Sequence, residues 1–390
     1  MEPVELRENG LLLRPWSPDD AEAVFRACQD PLIQHWTSLP RPYLLDHAAQ
    51  FVTTQAPQAW HAGTGAPFAV VDPGTGELLG ACGLTDIDRA RGDAEIGYWT
   101  APSGRDRGVA TAAARAVARF GLAVLGLQRV QWRARVGNHA SRLVAARIGV
   151  RFEGLLRAGM GHGETRYDGW IGALLPGDLR DADAPDDPAL ARATSRCRVF
   201  AATQPTLESV TRDGQAVRLR PLRSDDAPAC VQACQDPLSV RYTTVPHPYD
   251  EKQAEAFIHT FAPSMWARGT EAVFAVADAD DALVGTMALR LPGDELYTPT
   301  GDVGYLIGPW ARGRGYASAA LQALCDWGFA NLALRRIEWQ AYVGNTASRA
   351  TAERAGFLVE GELRQALPHR GTFEDSWIGS RIAPAASEGS

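Results

Sequence analysis

"RGRGYASAAL" spans Arg312–Leu321, and "RDRGVATAAA" spans Arg105–Ala114. Each sets a charged, glycine-bearing turn directly before an alanine-rich stretch of helix-forming composition. A turn that opens a helix aims several backbone N–H groups in one direction, and the helix end adds partial positive charge. That makes an anion site suited to phosphate or pyrophosphate. Gly108 and Gly315 supply the turn without a Cβ in the ligand's path. Ala110 and Ala317 keep the start of the helix narrow. Arg105, Arg107, Arg312 and Arg314 add charge-assisted donors. A P-loop is excluded, because neither copy has G-K-[ST] after four spacer residues. Gly313-x-Gly315-x-x-Ser318, with Glu338 further on, approaches a dinucleotide fingerprint. The other copy has Asp106 and Gln131 at the corresponding places, so that reading fails. Both copies share R-x-x-G-x-A.

The paired turns belong to a duplication. "ACQDPL" occurs at Ala27–Leu32 and, 206 residues on, at Ala233–Leu238. Later the offset is 207: "IGYW" at Ile96–Trp99 meets "VGYL" at Val303–Leu306, and "VGNHASR" at Val136–Arg142 meets "VGNTASR" at Val343–Arg349. "WIG" closes both copies, at Trp170–Gly172 and Trp377–Gly379. A period this long is a repeated domain, not a solenoid. The expected organisation is one domain over 1–180, a linker over 181–205 that includes the acidic, proline-punctuated "DADAPDDP", and a second domain over 206–385. "CRVFAA" (Cys197–Ala202) is read as a short strand or docking segment, and "PAASEGS" as a frayed tail.

Composition agrees with a globular protein of two domains. The chain has 390 residues, 45% hydrophobic and 22% charged, with a net charge of −7. That balance argues against coating nucleic acid or anionic membrane. No apolar run is long enough to span a bilayer. "MEPVELRENG" lacks the apolar region of a secretory signal. A cytoplasmic protein, monomeric or homodimeric, is expected. The six cysteines (28, 82, 197, 230, 234 and 325) form no C-x-x-C pair, so buried reduced thiols are expected and no metal site.

The element order repeats too. Strands are expected at Leu11–Arg14 (Val217–Arg220), Phe68–Asp72 (Val273–Ala277), Leu78–Thr85 (Leu283–Arg290) and "EIGYWT" (Val303–Ile307). Ser17 and Ser224 are the expected N-caps of an early helix. The glycine turns open helices over Val109–Leu125 and Tyr316–Leu332. "RVQWRARV" and "RIEWQAYV" alternate strictly, so Val130, Trp132, Ala134 and Val136 share one strand face. So do Ile337, Trp339, Ala341 and Val343. A short helix and one or two strands finish each copy.

Taken together, R-x-x-G-x-[GA] after "GYW", then a strand, then "GN-x-A-S-R", resembles the GCN5-related N-acetyltransferases (GNAT), and within them the RimJ/RimL-like branch. The resemblance covers both halves except linker and tail. It implies an α/β (α+β) fold class: two tandem domains, each a mixed, mostly antiparallel, splayed sheet with helices on both faces. It implies acetyl-CoA, or another acyl-CoA, as cofactor, with pyrophosphate on the amides around Arg105–Ala110 (including Val109) and Arg312–Ala317 (including Tyr316). A backbone N–H near Tyr98–Trp99, or Tyr305–Leu306, would meet the thioester carbonyl as an oxyanion donor. Asn138 and Asn345 match the family's cofactor-arm asparagine, and they also read as helix N-caps. The implied activity is acyl transfer to a primary amine, on a small molecule or a peptide N-terminus.

An ammonium acceptor must lose a proton, and Glu95 or its counterpart Asp302 is the base candidate, although both also read as ordinary polar strand positions. The tyrosine many relatives place seven residues after the asparagine is Ala145 or Ala352 here. Ser141 and Ser348 resemble the serine given the acid role in the RimL-like branch. The loops "HWTSLPRPY" and "RYTTVPHPY" are the acceptor candidates, through Trp36, Tyr43, Tyr242 and Tyr249. Asp294 and Glu295 lie in an insertion of the second copy alone. His162 and His369 read as surface residues. Two readings stay beside catalysis by both halves: one half is a degenerate partner, or the chain binds acyl-CoA without chemistry. An aminoacyl-tRNA-dependent transferase lacks the basic tracts it needs.

Overall fold

The computed structural model describes residues 1–182, 187–293 and 296–384, with the side chain of His162 also outside the description. It divides into two compact units, Met1–Asp187 and Pro188–Ser390. In the first, β1 (Leu6–Glu8) and β2 (Leu11–Arg14) precede four short helices: α1 (Ala21–Ala27), α2 (Pro31–Trp36), α3 (Leu45–Gln50) and α4 (Ala56–Ala62). Then come β3 (Ala66–Val71), β4 (Leu78–Asp88), β5 (Asp93–Thr100), α5 (Val109–Arg119), β6 (Arg129–Arg135), α6 (His139–Ile148), β7 (Arg151–His162) and β8 (Thr165–Leu174).

The second unit opens with α7 (Pro188–Ala201) and repeats that order. It has β9 (Leu207–Val210), β10 (Ala216–Arg220), α8 (Ala227–Gln235), α9 (Pro237–Tyr242), α10 (Glu251–Ala256) and α11 (Ala262–Arg268). β11 (Glu271–Ala277), β12 (Leu283–Arg290), β13 (Thr300–Ile307), α12 (Tyr316–Leu332), β14 (Arg336–Tyr342), α13 (Thr346–Arg354), β15 (Leu358–His369) and β16 (Thr372–Ile382) complete it.

Each sheet has eight strands, ordered β1-β2-β3-β4-β5-β6-β8-β7 in the first unit and β9-β10-β11-β12-β13-β14-β16-β15 in the second. All neighbours are antiparallel except β5–β6 and β13–β14. That exception follows from connectivity, because α5 and α12 are crossovers and return the chain in the same direction. α5 ends early: a wide π turn over Phe120–Val124 completes the helical stretch expected to reach Leu125.

Two cores sandwich each sheet. In the first unit Phe68, Leu84, Ile96, Val117, Trp132 and Trp170 pack on the α5–α6 face. Trp16, Val24, Ile33, Tyr43 and Val52 pack on the α1–α4 face. Val130, Trp132 and Ala134 are buried while their neighbours on β6 are not, as the alternation requires. Burying one such large side chain contributes about 1.5–3 kcal/mol.

Two local expectations need correction. Cys197–Ala202 is no strand: Cys197 to Ala201 lie in α7, whose Phe200 stacks edge-on against Trp266 at 4.8 Å. Ser17 caps its turn, but Ser224 does not. Asp226 instead accepts from the Arg223 N–H at 2.8 Å, and Ser224 Oγ turns to His259. All six cysteines are free and buried. Residues 183–186 of the linker, Asp294, Glu295 and residues 385–390 of the expected tail lie outside the described residues.

Candidate active site

The site begins where two parallel strands part. β5 pairs with β6 from Asp93–Arg129 to Ile96–Trp132 and no further. Beyond that point β5 follows β4 as far as Thr100, and β6 follows β8 as far as Arg135. A gap therefore opens between Gly97–Thr100 and Arg133–Arg135. The second unit repeats it: pairing stops at Val303–Trp339, while β13 stays with β12 and β14 with β16. Backbone groups of the diverging edges are left to face a ligand. Gly80 and Gly285 permit the divergence. A Cβ there would stand 2.5 Å from the Trp99 carbonyl oxygen and 2.3 Å from that of Leu306.

The glycine turns stand at the end of these strands. Gly108 and Gly315 have φ of +75° and +84°, each the residue before its helix. Asp106 and Gly313 also have positive φ, +58° and +75°, which explains why either residue serves there. Left-handed residues flanking a single arginine turn successive N–H groups inward, as an anion concavity requires. Open space surrounds the missing Cβ of Gly108. Val109 and Tyr316 bury their side chains, so they offer the ligand only backbone N–H.

The four arginines divide. Arg105 and Arg312 were expected to face phosphate; the structure gives them carboxylate partners instead. Arg105 pairs with Asp30, and Arg312 Nη2 lies 2.6 Å from Asp236 Oδ2. The same aspartates cap α2 and α9 through two backbone N–H groups each. Arg107 and Arg314 are the freer pair. Arg107 donates to the Ser103 carbonyl at 3.1 Å, and Arg314 to Gln215 at 3.2 Å.

On the α5–α6 side of the gap, Tyr98, Ser141 and Trp132 interlock. Trp132 Nε1 donates to Ser141 Oγ (3.1 Å), Ser141 Oγ donates to the Tyr98 hydroxyl (3.1 Å), and that hydroxyl donates to the Ser141 carbonyl (3.0 Å). Trp339, Ser348 and Tyr305 repeat the set at 2.9–3.0 Å. Burial raises both phenols, Tyr305 to about 12, so both stay protonated at neutral pH. Asn138 and Asn345 accept the N–H of Ser141 and Ser348 at 3.1 Å, so the cap reading holds and Oδ1 is engaged.

The opposite side carries the acids. Glu95 accepts from Arg133 Nε at 2.6 Å, from the strand across the gap. Asp302 accepts from Arg290 Nε at 2.6 Å, from the strand behind it. The two base candidates thus have guanidinium partners on different strands.

Of the expected acceptor residues, Trp36 and Tyr242 reach the turns that follow β6 and β14, and Tyr43 and Tyr249 lie in the core. A Cβ on Gly137 would meet the Trp36 ring at 3.4 Å, and the Tyr242 hydroxyl donates to the Gly344 carbonyl at 3.4 Å. Tyr43 and Tyr249 are only 5% and 6% exposed and pack in the helical cores, beside Cys28 and Cys234. Their conserved-looking position in both loops reflects packing. His369 is likewise no surface residue. Its side chain is 11% exposed, with Nδ1 3.0 Å from Glu374 and its ring against Tyr342.

The sequence reading missed Asp30 and Asp236, which "ACQDPL" displayed twice, and the supporting Trp132, Trp339, Arg133, Arg290, Gly80 and Gly285.

This arrangement, a parted parallel pair ending at a left-handed glycine turn, is the one that the resemblance to N-acetyltransferases implies. The Acetyltransferase (GNAT) domain model matches residues 10–151 and 216–358, and the chain belongs to that family. It is an N-acetyltransferase by class, and acetyl-CoA is the acyl donor of that class. Among its relatives, the uncharacterised N-acetyltransferase YoaA of Bacillus subtilis is 28% identical over 163 residues, 42% of this chain and 92% of the relative. The ribosomal-protein-serine acetyltransferase of Escherichia coli is 32% identical over 103 residues, 26% of this chain and 56% of the relative. Of solved structures, Mycobacterium smegmatis RimJ with CoA-disulfide is 25% identical, with a TM-score of 0.40, covering 46% of this chain and 88% of that one. No helix among the described residues is long and apolar enough to cross a membrane.

Proposed function

We propose that each half transfers an acetyl group to a primary amine, on a small molecule or a peptide N-terminus, by direct attack in a ternary complex. The observation that carries this reading is the strand gap beside a left-handed glycine turn, present in both halves in register. The residues fit acetyl-CoA, which supplies an activated acyl thioester when bound. The amides around Gly108–Ala110 and Gly315–Ala317, with Arg107 and Arg314, would hold its pyrophosphate. Asn138 and Asn345, which cap α6 and α13, would contact the cofactor arm.

A backbone N–H near Tyr98–Trp99 or Tyr305–Leu306, on the diverging edge, would meet the thioester carbonyl and stabilise a developing oxyanion. Glu95 takes the ammonium proton at Oε, displacing part of its bond to Arg133. Asp302 does so in the second half, in competition with Arg290. Ser141 and Ser348 hold a hydroxyl proton between Tyr and Trp, available to a leaving thiolate. A thiol of ordinary pKa near 8.5 leaves with little help. The relative named as a ribosomal-protein-serine acetyltransferase supports including peptide N-termini among the acceptors.

The test is thiol release from acetyl-CoA against a panel of small amines and peptides with free N-termini. Amine-dependent release supports the reading. CoA binding without release to any amine would leave an acyl-CoA-binding module.

A further inference from the structure

Arg135 stands on β6 three residues past the last β5–β6 pair, level with Trp99 across the gap. Strand alternation puts it on the face of Glu95 and Arg133, where the acceptor must approach. Its guanidinium lies 3.6 Å from the ring centre of Tyr167 on β8 and 5.5 Å from that of Trp36 on α2. Nη1 donates to the His35 carbonyl at 2.7 Å. Nε is buried and meets no acceptor among the described residues. Arg133, two residues back, has Glu95; Arg135 has no carboxylate partner among the described residues.

A guanidinium is charged at any physiological pH. Arg135 is half-buried with its Nε shielded from water, and aromatic faces offset only part of the cost of leaving that N–H without an anion. His35 is held below its ordinary pKa mainly by burial, and also by the positive charges of Arg135 and Arg41. The second half differs. At an offset of 207, Tyr342 replaces Arg135, Gln340 replaces Arg133 and Glu374 replaces Tyr167. Glu374 is itself paired, with Arg241 at 2.9 Å and His369 at 3.0 Å. Shared machinery with a different charge pattern at the mouth is what different acceptors require.

We infer that the first half selects an acceptor bearing a carboxylate close to its amine, and that the aromatic-clamped Arg135 binds that carboxylate. The inference rests on the acetyl-transfer reading for what the face is for. The anion itself has two sources: an acidic side chain near a peptide N-terminus, or the α-carboxylate of a free amino acid. The second half lacks this preference.

The test is calorimetry on the full chain saturated with CoA, so that no turnover occurs. Three probes are titrated: a C-terminally amidated peptide with glutamate at its second position, its glutamine counterpart, and free amino acids with their amides as controls. The expected result is about 10- to 100-fold tighter binding of one carboxylate-bearing class over its neutral partner, as for a hydrogen-bonded charge. Whichever class shows it names the source. Arg135→Gln removes the preference, and Arg135→Lys restores part of it without the planar fork. CoA affinity, read on the same variants, stays at the parent value and reports that the fold is intact. Equal binding of acidic and neutral partners by the parent overturns the inference without any variant. So does a preference that survives Arg135→Gln. Acid-selective binding with no thiol release to any amine refutes transfer but leaves this inference standing; release that is indifferent to charge does the reverse.

Discussion

Asp236 Oδ2 lies 2.6 Å from Arg312 Nη2 while accepting the N–H groups of Leu238 and Ser239. One carboxylate thus ties the glycine turn of the second half to the helix that ends at Tyr242, on the acceptor side. Asp30 and Arg105 do the same in the first half. In each half an ion pair thus joins the glycine turn to the helix that carries Trp36 or Tyr242.

Asp236→Ala should therefore lower unfolding stability by about 1–3 kcal/mol, through a lost cap and a lost charged hydrogen bond. It should also weaken CoA binding although Asp236 is not placed on CoA. Urea unfolding and calorimetry measure the two. Unchanged CoA affinity would show that the turn holds its shape without the aspartate.

Glu95→Gln should lower the rate at neutral pH by about 100- to 10,000-fold, the usual cost of removing a general base, and leave CoA binding near the parent value. The defect should shrink as pH nears the amine's own pKa, because more acceptor arrives neutral. Asp302→Asn asks the same of the second half. If the double variant keeps the parent pH–rate profile, neither acid is the base.

Ser141→Ala leaves Trp132 Nε1 and the Tyr98 hydroxyl short of a partner. A stability loss of about 1–3 kcal/mol is expected, with a rate defect smaller than that of Glu95→Gln. Comparing thermal unfolding with turnover separates the two effects. A rate loss equal to or larger than that of Glu95→Gln would make Ser141 essential to the chemistry.

Acid should find the second half at Glu360. Hydrogen bonds from Arg336, then from Ser380, pull its pKa down to about 2. Asp281, held mainly by Arg220, also falls to about 2. A depressed carboxylate pKa contributes stability that is full above the unfolded value, about 4, and lost as pH falls toward 2. Glu360→Gln should therefore flatten the decline in stability between pH about 4 and 2. Parallel acid-unfolding curves for parent and variant would contradict that pairing.

The fold was largely legible because its signals are local and doubled. Period-2 burial on β6, the glycine before each helix and the asparagine caps can each be read within a few residues, and every one occurs twice at a fixed offset. What escaped depends on distance. Nothing near Glu95 in the chain indicates that Arg133 closes on it from another strand, and nothing near Asp302 indicates Arg290. Tyr43 and Tyr249 looked like acceptor residues because both loops keep them, yet both are core. The arginine of R-x-x-G-x-A looked like a phosphate ligand because its partner aspartate lies 75 or 76 residues away in sequence.

The central claim is that each half holds acetyl-CoA at its glycine turn. Calorimetric titration of CoA into the parent, Gly108→Glu, Gly315→Glu and the double variant tests it directly. A glutamate at either turn places a carboxylate and a Cβ where the pyrophosphate must lie. Two sites in the parent, one in each single variant and none in the double variant is the predicted result; a double variant that binds CoA as the parent does would contradict it.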